Sequence, residues 1–361
     1  MLYIEELAGS SIRNLKKFHI KTNASLNFFY GENASGKTSI LEGIFLLSRL
    51  KSFRSKRISD VVARGASSLL VSAKGRQKNK VFSVGVEKGR GLTRIKFNNK
   101  KVKTASEQVK KLPIYLLTPE HNTLFVGPPR ERRRWIDWSL FHVEQGYLSV
   151  WKNYHRALRH RNTLLKEPRF CGSPEIIGWE KQIILEADKI DAMRKEYLDD
   201  LSEALNTKHL SAVLPGDAAI NYSKNGYAEQ GLAEALLKNR KKDAKKGYTS
   251  SGPHRADINF YYQGVKVEKD LSRGQTKLFA AALISSQLEK AKEKGGAPIM
   301  LVDDLSAELD QKASEKMLRL LLANKTQTFV TSIKPPSKAK QKNDNIAVFH
   351  VERGNIKKML K

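Results

Sequence analysis

The stretch Gly31-Glu32-Asn33-Ala34-Ser35-Gly36-Lys37-Thr38 reads GENASGKT and has the full spacing of a phosphate-binding P-loop. Its glycines let backbone N–H groups curl around phosphate oxygens. Lys37 can reach the terminal phosphates and assist catalysis, and the hydroxyl of Thr38 can ligate Mg²⁺. All eight residues are therefore predicted to bind ATP, with Mg²⁺ as the second cofactor.

The residues on either side of this loop have the pattern that a P-loop needs. The run Leu26–Tyr30 is apolar and ends directly in a glycine, which predicts a buried strand. Residues 39–50 predict a helix with Ile40, Ile44 and Leu47 on one apolar stripe. A plain glycine-rich turn does not require this strand–loop–helix context, so nucleotide binding is the favoured interpretation.

A second candidate element is the apolar stretch at residues 299–302, which is followed by Asp303 and Asp304. Asp303 is predicted to hold the metal through water, and Asp304 to polarise the attacking water or accept its proton. Many buried strands end in an aspartate that only caps a helix or forms a turn. The assignment therefore depends on the presence of the P-loop.

The third element is Leu271-Ser272-Arg273-Gly274-Gln275, about 30 residues before these acids. It resembles the LSGGQ signature of ABC ATPases, with Arg273 in place of a glycine, and residues 306–310 resemble the D-loop of that superfamily. The resemblance implies that Ser272, Gly274 and Gln275 contact the nucleotide held by a second copy, and hence an ATP-dependent homodimer. The usual switch histidine is not evident, which leaves Thr331 or Ser332 as open alternatives for its contact with the γ-phosphate.

The charge of the chain indicates a polyanionic partner. The 361 residues include 66 Lys and Arg against 37 Asp and Glu, a net charge of +29 that is distributed along the sequence. Nucleic acid is the first candidate, a membrane surface is the second, and a merely solubilising surface does not need so one-sided a charge.

Location in the cell is indicated by three simple features. The only cysteine is Cys171, so an intrachain disulfide is excluded and a reducing compartment fits. The N-terminus is acidic, unlike a signal peptide. The longest mainly apolar stretch, residues 278–284, is far shorter than the roughly 20 residues of a membrane span. We expect a cytoplasmic protein with no membrane partner.

Three parts are predicted along the chain. Residues 1–124 form the strand-rich N-terminal part of an ATPase lobe, with a hairpin turn at Asn98-Asn99 leading into residues 101–103. Residues 125–245 form a helical second lobe, whose lysine-rich end at residues 239–246 is interpreted as an exposed connector. Residues 246–361 complete the ATPase lobe and include a basic, turn-rich segment at 334–343. The expected fold class is α/β: an ABC-type P-loop ATPase head with a mixed sheet, a helical second lobe and no long coiled coil.

The length and pattern of residues 39–302, which lie between the P-loop and the acidic strand end, indicate which kind of ABC protein this is. A transporter subunit would be more compact, and an SMC-type chain would carry hundreds of residues of heptads there. The chain instead resembles the RecF family of bacterial recombination mediators over nearly its whole length. Besides the three motifs, the segments on which this resemblance rests are Lys51-Ser52-Phe53-Arg54, Thr118-Pro119-Glu120-His121, Gly127-Pro128-Pro129, Arg132-Arg133-Arg134-Trp135-Ile136-Asp137 and Ser251-Gly252-Pro253-His254-Arg255-Ala256-Asp257. His121 and Ala256 depart from the family pattern, so no role is transferred to them.

The RecF resemblance implies an ATPase that binds duplex DNA at gaps and single–double-strand junctions. It would act with RecR- and RecO-type partners to load recombinase in DNA repair, recombination and replication restart, with slow, DNA-stimulated hydrolysis and no nuclease activity. The alternatives are an ATP-switched scaffold for protein partners, or another ABC-type DNA-processing ATPase.

Four arginines are candidates for DNA contact: Arg132, Arg133 and Arg134 after Pro129, and Arg54 in the KSFR segment. Three consecutive arginines on a helix point in different directions, so at least one is expected to pack or pair inward. Arg54 could reach either the nucleotide or DNA, and an exposed loop charge that contacts neither is an equal alternative. His254 is interpreted as part of a fixed turn, and Trp135 and Trp138 as core residues.

Overall fold

The computed structural model describes residues 2–78, 80–102, 104, 107–108, 111–170, 172–336 and 345–359. Two compact units share this chain. Unit 1 combines Met1–His121 with Lys277–Lys361, and unit 2 is the continuous segment Asn122–Thr276. Lys103, Cys171 and residues 337–344, like the side chain of His121, lie outside the description.

The first sheet of unit 1 is antiparallel and is built from the N-terminal third of the chain. Its strands are β1 (Leu2–Ile12), β2 (Leu15–Lys21), β4 (Ser68–Gln77), β5 (Lys80–Gly89), β6 (Leu92–Phe97) and β7 (Lys100–Lys101), in the order β2-β1-β4-β5-β6-β7. Asn98 and Asn99 both adopt left-handed backbone conformations between β6 and β7, so the predicted hairpin is confirmed.

The second sheet of unit 1 carries the nucleotide motifs. It comprises β3 (Leu26–Tyr30), β8 (Ile114–Leu117), β12 (Ile299–Val302), β13 (Thr328–Ser332), β14 (Ile346–Glu352) and β15 (Asn355–Lys358), in the order β15-β14-β3-β13-β12-β8. All of its pairings are parallel except that of β15 with β14. The carboxyl ends of β3, β12 and β13 therefore meet at one edge, where ligands bind in parallel sheets.

Helix α1 (Lys37–Arg49) packs against strands of both sheets of unit 1. It is buried almost all round from Ser39 to Ser48, because each sheet presents an apolar face to it. This sandwich fixes the P-loop at the N-terminus of α1.

Unit 2 is mainly helical, with a small antiparallel sheet of order β11-β10-β9. Its helices are α2 (Asn122–Val126), α3 (Pro129–Val143), α4 (Tyr147–Leu164), α5 (Pro174–Ala204), α6 (Gly231–Lys246) and α7 (Val267–Asp270). Its strands are β9 (Ala218–Ser223), β10 (Asp257–Tyr262) and β11 (Val265–Lys266). Two further helices are α8 (Arg273–Glu293), within which the boundary between the units falls, and α9 (Gln311–Ala323) in unit 1.

Residues 239–246 are not a connector but the C-terminal half of α6, although the four lysines among them are exposed as predicted. One charged residue of this segment is buried, because Asp243 points inward and pairs with Arg161 of α4. The helix ends at Gly247, whose left-handed φ of 70° is the usual helix stop.

The division between the units also differs from the predicted boundary at residue 245. Strand β10 pairs with β9 in register Asp257↔Ser223, so the chain beyond α6 continues within unit 2. The boundary consequently falls near residue 276, inside α8. Among the described residues, no helix combines the length and apolar character that crossing a membrane would require.

Candidate nucleotide site

The P-loop lies between β3 and α1, and its shape requires glycine at two positions. Gly31 has φ 153°, and a Cβ atom there would lie 2.1 Å from the carbonyl oxygen of Val351. Gly36 has φ 115° and forms the N-cap of α1. The pattern GxxxxGK is therefore explained by close backbone approach at its start and by a left-handed turn at its end.

Two neighbouring turns hold the loop in place. The amide nitrogen Nδ2 of Asn14 donates to the carbonyl of Ala34 (3.1 Å), and the N–H of Gly354 donates to the carbonyl of Ser35 (2.8 Å). Asn14 belongs to the β1–β2 turn and Gly354 to the β14–β15 turn. Neither residue was predicted from the sequence, because both are distant along the chain from the motif.

The two reactive side chains of the loop point to different partners. Lys37 Nζ donates to the carbonyls of Gly31 (2.8 Å) and Glu32 (2.7 Å). Burial lowers the pKa of Lys37, against the opposing effect of Asp304 and Asp303. Thr38 Oγ1 instead donates to Asp303 Oδ1 over 2.8 Å, which joins the two predicted metal ligands directly.

Asp303 follows β12 and is only 8% exposed. Its Oδ1 accepts hydrogen bonds from Thr38 Oγ1 and from Thr331 Oγ1, both at 2.8 Å. Burial raises the pKa of Asp303, and the two hydroxyls together with the charge of Arg54 partly offset this effect. Within the described part of the chain, this carboxylate forms no ion pair.

Asp304 occupies a strained position next to it. Its φ of 50° is left-handed, which costs a non-glycine residue on the order of 1 kcal/mol. Its N–H donates to Thr331 Oγ1 (2.8 Å), while its Oδ1 is buried and accepts no hydrogen bond from any described residue. A carboxylate oxygen left in this state is suited to receive a proton from, or orient, a water molecule.

The hydroxyl of Thr331 thus connects the two acids, donating to Asp303 and accepting from Asp304. Ser332 Oγ lies 3.2 Å from Ser306 Oγ instead. Of the two alternatives for the switch position, Thr331 is engaged by the acids themselves, and Ser332 is tied to the segment that resembles the D-loop.

Hard oxygen ligands are what Mg²⁺ requires, and it usually takes one or two from protein and the rest from water and nucleotide phosphates. The hydroxyl of Thr38 and the carboxylate of Asp303 fit this set. Among the described residues there is no cluster of three His, Cys, Asp or Glu side chains that could hold a metal without such help.

The signature-like segment forms the start of α8. Gln275 N–H donates to Ser272 Oγ (3.3 Å), and Ser272 N–H donates to Gln275 Oε1 (3.0 Å). These reciprocal bonds make a capping box, with Ser272 as the N-cap of α8. Ser272, Arg273 and Gln275 are exposed, as a surface that meets another molecule must be.

The structure disfavours the predicted DNA contact of Arg132, because this side chain is buried and fully engaged. Its Nε and Nη2 form a two-pronged ion pair with Asp257 (2.7 and 2.9 Å), and Nη1 donates to the carbonyl of Gly127 (2.6 Å). Arg133 is partly buried and donates to the carbonyl of Ala256 (2.7 Å). Arg134 is exposed and pairs only with Glu131 (3.0 Å). Of the three, Arg134 is the one available to a phosphate.

Arg54 lies on the loop after α1, and its charge acts on Asp303. The loop is anchored by Ser52 Oγ, which accepts from the N–H of Arg54 (2.9 Å) and donates to Glu42 on α1. Glu42 is fully buried and pairs with Arg13. Because the charge of Arg54 acts on Asp303, a role at the nucleotide is favoured for Arg54 over a contact with DNA.

The remaining candidates are structural. His254 sits in a turn, with Nδ1 2.6 Å from the hydroxyl of Tyr154 and Nε2 3.0 Å from the carbonyl of Thr249. Trp135 makes an edge-to-face contact with Phe260 at 5.5 Å. The interpretation of His254 as part of a fixed turn therefore agrees with the structure.

A P-loop on a mainly parallel sheet, an acidic strand end bonded to its threonine and an LSRGQ capping box define an ABC/SMC-type ATPase head. The family described as RecF/RecN/SMC N terminal domain matches residues 3–357. The chain is 34% identical to a DNA replication and repair protein RecF of Nitrosococcus oceani over the full length of both proteins. It is 35% identical to the protein of that name from Hahella chejuensis, over 99% of each chain. The chain belongs to the RecF family.

Solved structures agree with this assignment. A structure described as the recombination mediator protein RecF-ATP in the RecFOR pathway matches with a TM-score of 0.86 and 25% identity, over 99% of this chain and 98% of that one. The Smc head domain of Pyrococcus furiosus matches with a TM-score of 0.59 and 18% identity, over 99% and 96% of the two chains, which shows a shared fold. The predicted fold class is confirmed.

Proposed function

We propose that this chain is an ATP-dependent DNA-binding ATPase of recombinational repair. It binds Mg²⁺–ATP at the P-loop, dimerises through the LSRGQ segment, and binds duplex DNA at gaps or single–double-strand junctions. With RecR- and RecO-type partners it promotes recombinase loading, and it hydrolyses ATP slowly. The observation that carries the proposal is the continuous hydrogen-bonded chain Thr38–Asp303–Thr331–Asp304 at the end of the P-loop.

This chain of contacts supports hydrolysis as well as binding. Thr38 and Asp303 supply oxygen ligands for Mg²⁺, Lys37 supplies positive charge for the phosphates, and Asp304 presents an unpartnered oxygen for the attacking water. In phosphoryl transfer the protein acts mainly by positioning and by electrostatic stabilisation, so this small set of groups is sufficient. Arg54 adds a second positive charge on the same side of the molecule as Asp303.

Dimerisation is supported by the exposed signature segment. The side chains of Ser272 and Gln275 each accept only the backbone N–H of the other residue, so their outward-facing atoms and the N-terminus of α8 remain accessible to an anion. In the proposed dimer that anion is the γ-phosphate held by the P-loop of the partner copy.

DNA binding is supported by charge on two scales. The net charge of +29 attracts a polyanion. In unit 2, the exposed cations Arg255 and Lys246 lie 5.0 and 5.8 Å from the ring centre of the exposed Tyr248. Neither cation forms an ion pair within the described part of the chain, so both can contact phosphates.

The test combines ATP-induced dimerisation with DNA binding. Lys37→Ala should lose ATP binding and remain monomeric with ATP, and Ser272→Arg should bind ATP but remain monomeric, as measured by light scattering. Lys316→Ala, an exposed lysine on α9, is the matched control and should dimerise as the unmodified protein does. Wild-type protein should shift gapped duplex more strongly than blunt duplex only when ATP is present.

Two outcomes would contradict the proposal. Dimerisation of Lys37→Ala on adding ATP would refute the composite site. Equal, ATP-independent shifts of gapped and blunt duplex would favour a scaffold for protein partners. Salt provides an internal check, because DNA affinity governed by phosphate contacts must fall steeply as salt is raised.

A further inference from the structure

Lys277 is a buried lysine one turn into α8, and only 3% of its surface is exposed. Its ammonium donates to three backbone carbonyls: those of Asp304 (2.6 Å), Leu305 (3.3 Å) and Ala307 (2.9 Å). An ammonium has three N–H donors, so all of them are used. Within the described residues, no carboxylate lies within ion-pair distance of it.

The three carbonyls belong to the turn that directly follows the acidic strand end. Asp304 at its start and Glu308 at its end both have left-handed backbone conformations, with φ 50° and 63°. A turn in which three carbonyls converge places their partial negative charges close together, and a cation between them relieves that repulsion. Lys277 is therefore the side chain that stabilises this turn.

Both backbone groups of Asp304 are consequently held by hydrogen bonds. Its N–H donates to Thr331 Oγ1, and its carbonyl accepts from Lys277 Nζ. Because both neighbouring peptide groups are held, the direction of the side chain is set by the backbone, and no hydrogen bond to its buried Oδ1 is needed. Lys277 thus acts on the carboxylate indirectly, through the peptide that follows it.

We propose that Lys277 is a positioning residue for ATP hydrolysis, which holds the turn Asp304–Ala307 and thereby the place of the Asp304 carboxylate. This inference rests on the proposed ATPase function. All three N–H donors of Lys277 are used by backbone carbonyls of this turn, so its loss should affect turnover and leave nucleotide binding intact.

The experiment uses the full-length chain with Lys277→Met, which keeps the length of the side chain but lacks its charge and donors. Binding of a fluorescent ATP analogue should stay within about threefold of wild type, while kcat falls at least about thirtyfold. Lys292→Met is the matched control: this lysine is also on α8 and donates to the carbonyl of Asn324, so its kcat should be unchanged. Hydrolysis by wild type, lost in Lys37→Ala, tests the underlying ATPase function separately.

A pH profile of kcat distinguishes positioning from a merely structural role. Burial lowers the pKa of Lys277 to about 8, against the opposing charges of Asp304, Glu308 and Asp303. Above that pH the neutral amine has two donors for three carbonyls, so the kcat of wild type should fall between pH 8 and 9. Lys277→Arg keeps its charge, so it should recover part of the kcat lost in Lys277→Met and show no such fall.

The inference is overturned if Lys277→Met turns over at the wild-type rate, or if it loses nucleotide binding in proportion to kcat. It is also overturned if the arginine variant shows the same fall above pH 8 as wild type, because a different group would then be titrating. If Lys277→Met does not fold, the arginine variant and its pH profile still decide the question.

Discussion

The buried arginines of unit 2 and the buried carboxylate of Asp303 in unit 1 have opposite kinds of partner. In unit 2, Arg132 pairs with Asp257, and the fully buried Arg161 pairs with both Glu180 (3.0 Å) and Asp243 (2.9 Å). In unit 1, the buried Asp303 has two hydroxyls as partners and no cation within ion-pair distance among the described residues. The arginines of unit 2 are neutralised by ion pairs, whereas Asp303 has no ion-pair partner, unlike the buried Glu42 of unit 1, which pairs with Arg13.

The contrast separates charges that serve the fold from charges that serve a ligand. A buried ion that is already neutralised by an ion pair does not attract a charged ligand. Removing one partner of such a pair strongly lowers the free energy of unfolding. A buried carboxylate held only by neutral donors keeps its charge for a cation that arrives later. Arginine-rich sequence in unit 2 thus looks like a DNA site and acts partly as internal support.

The largest expected effect is that of Asp303→Asn. ATP turnover should fall by about a thousandfold, because a metal-held charge in phosphoryl transfer is worth several kcal/mol. Its stability should not fall. Burial raises the pKa of Asp303, so this carboxyl stabilises the fold most below the ordinary value for Asp, and that contribution is lost as pH rises through the raised pKa.

At neutral pH without Mg²⁺, the asparagine variant should therefore be at least as stable as wild type in urea unfolding. The matched change in unit 2, Asp257→Asn, should be clearly destabilising because it leaves Arg132 buried without its partner. Equal destabilisation by the two changes would abolish the contrast.

A smaller effect, on stability rather than turnover, is expected for Arg132→Met. Removing one member of a buried pair typically costs about 3–5 kcal/mol, and the unfolding free energy should fall by about that amount. The DNA affinity of the folded fraction should not change. Arg134→Met, two positions along, is the control and should shift the unfolding free energy by less than about 0.5 kcal/mol. A loss of DNA binding by the folded Arg132→Met protein would contradict this prediction and would indicate that Arg132 contacts a phosphate after all.

The smallest effect concerns Arg134, the exposed member of the same cluster. If it contacts a phosphate in the proposed complex, Arg134→Ala should weaken gapped-duplex binding a few-fold and reduce the slope of log affinity against log salt by about one. Fluorescence anisotropy at several salt concentrations measures both. An unchanged slope would indicate that Arg134 contacts no phosphate and that other cations do, for example Arg255 and Lys246 near Tyr248.

The sequence predicted the nucleotide elements well because their signals are local. Strands β3 and β12 begin and end at the predicted residues, since each is an apolar run bounded by a glycine or an acid. The P-loop and the capping box likewise depend on residues within a few positions of one another. The structure supports the local geometry expected for both.

What the sequence missed depends on partners far along the chain. Strand β8 has only four residues, and it is a strand because Ile299–Val302 of β12 pairs with it. The lysines at the end of α6 are exposed, but that Asp243 among them is buried is known only from its partner Arg161, which lies far along the chain. Likewise, 125 residues separate Arg132 from Asp257, and no periodicity reveals which of three consecutive arginines turns inward.

Strand β3 lies between β13 and β14, so the strand that leads into the P-loop is flanked on both sides by residues after 327. Gln327 adds a further tie, exchanging two hydrogen bonds of 2.7 Å with the backbone of Ile4. During synthesis β3 therefore cannot complete its sheet until the last quarter of the chain has been made, while the continuous unit 2 can fold in between. The P-loop is thus supported by its neighbouring strands only late in synthesis, so ATP binding requires that the end of the chain has been translated and has folded.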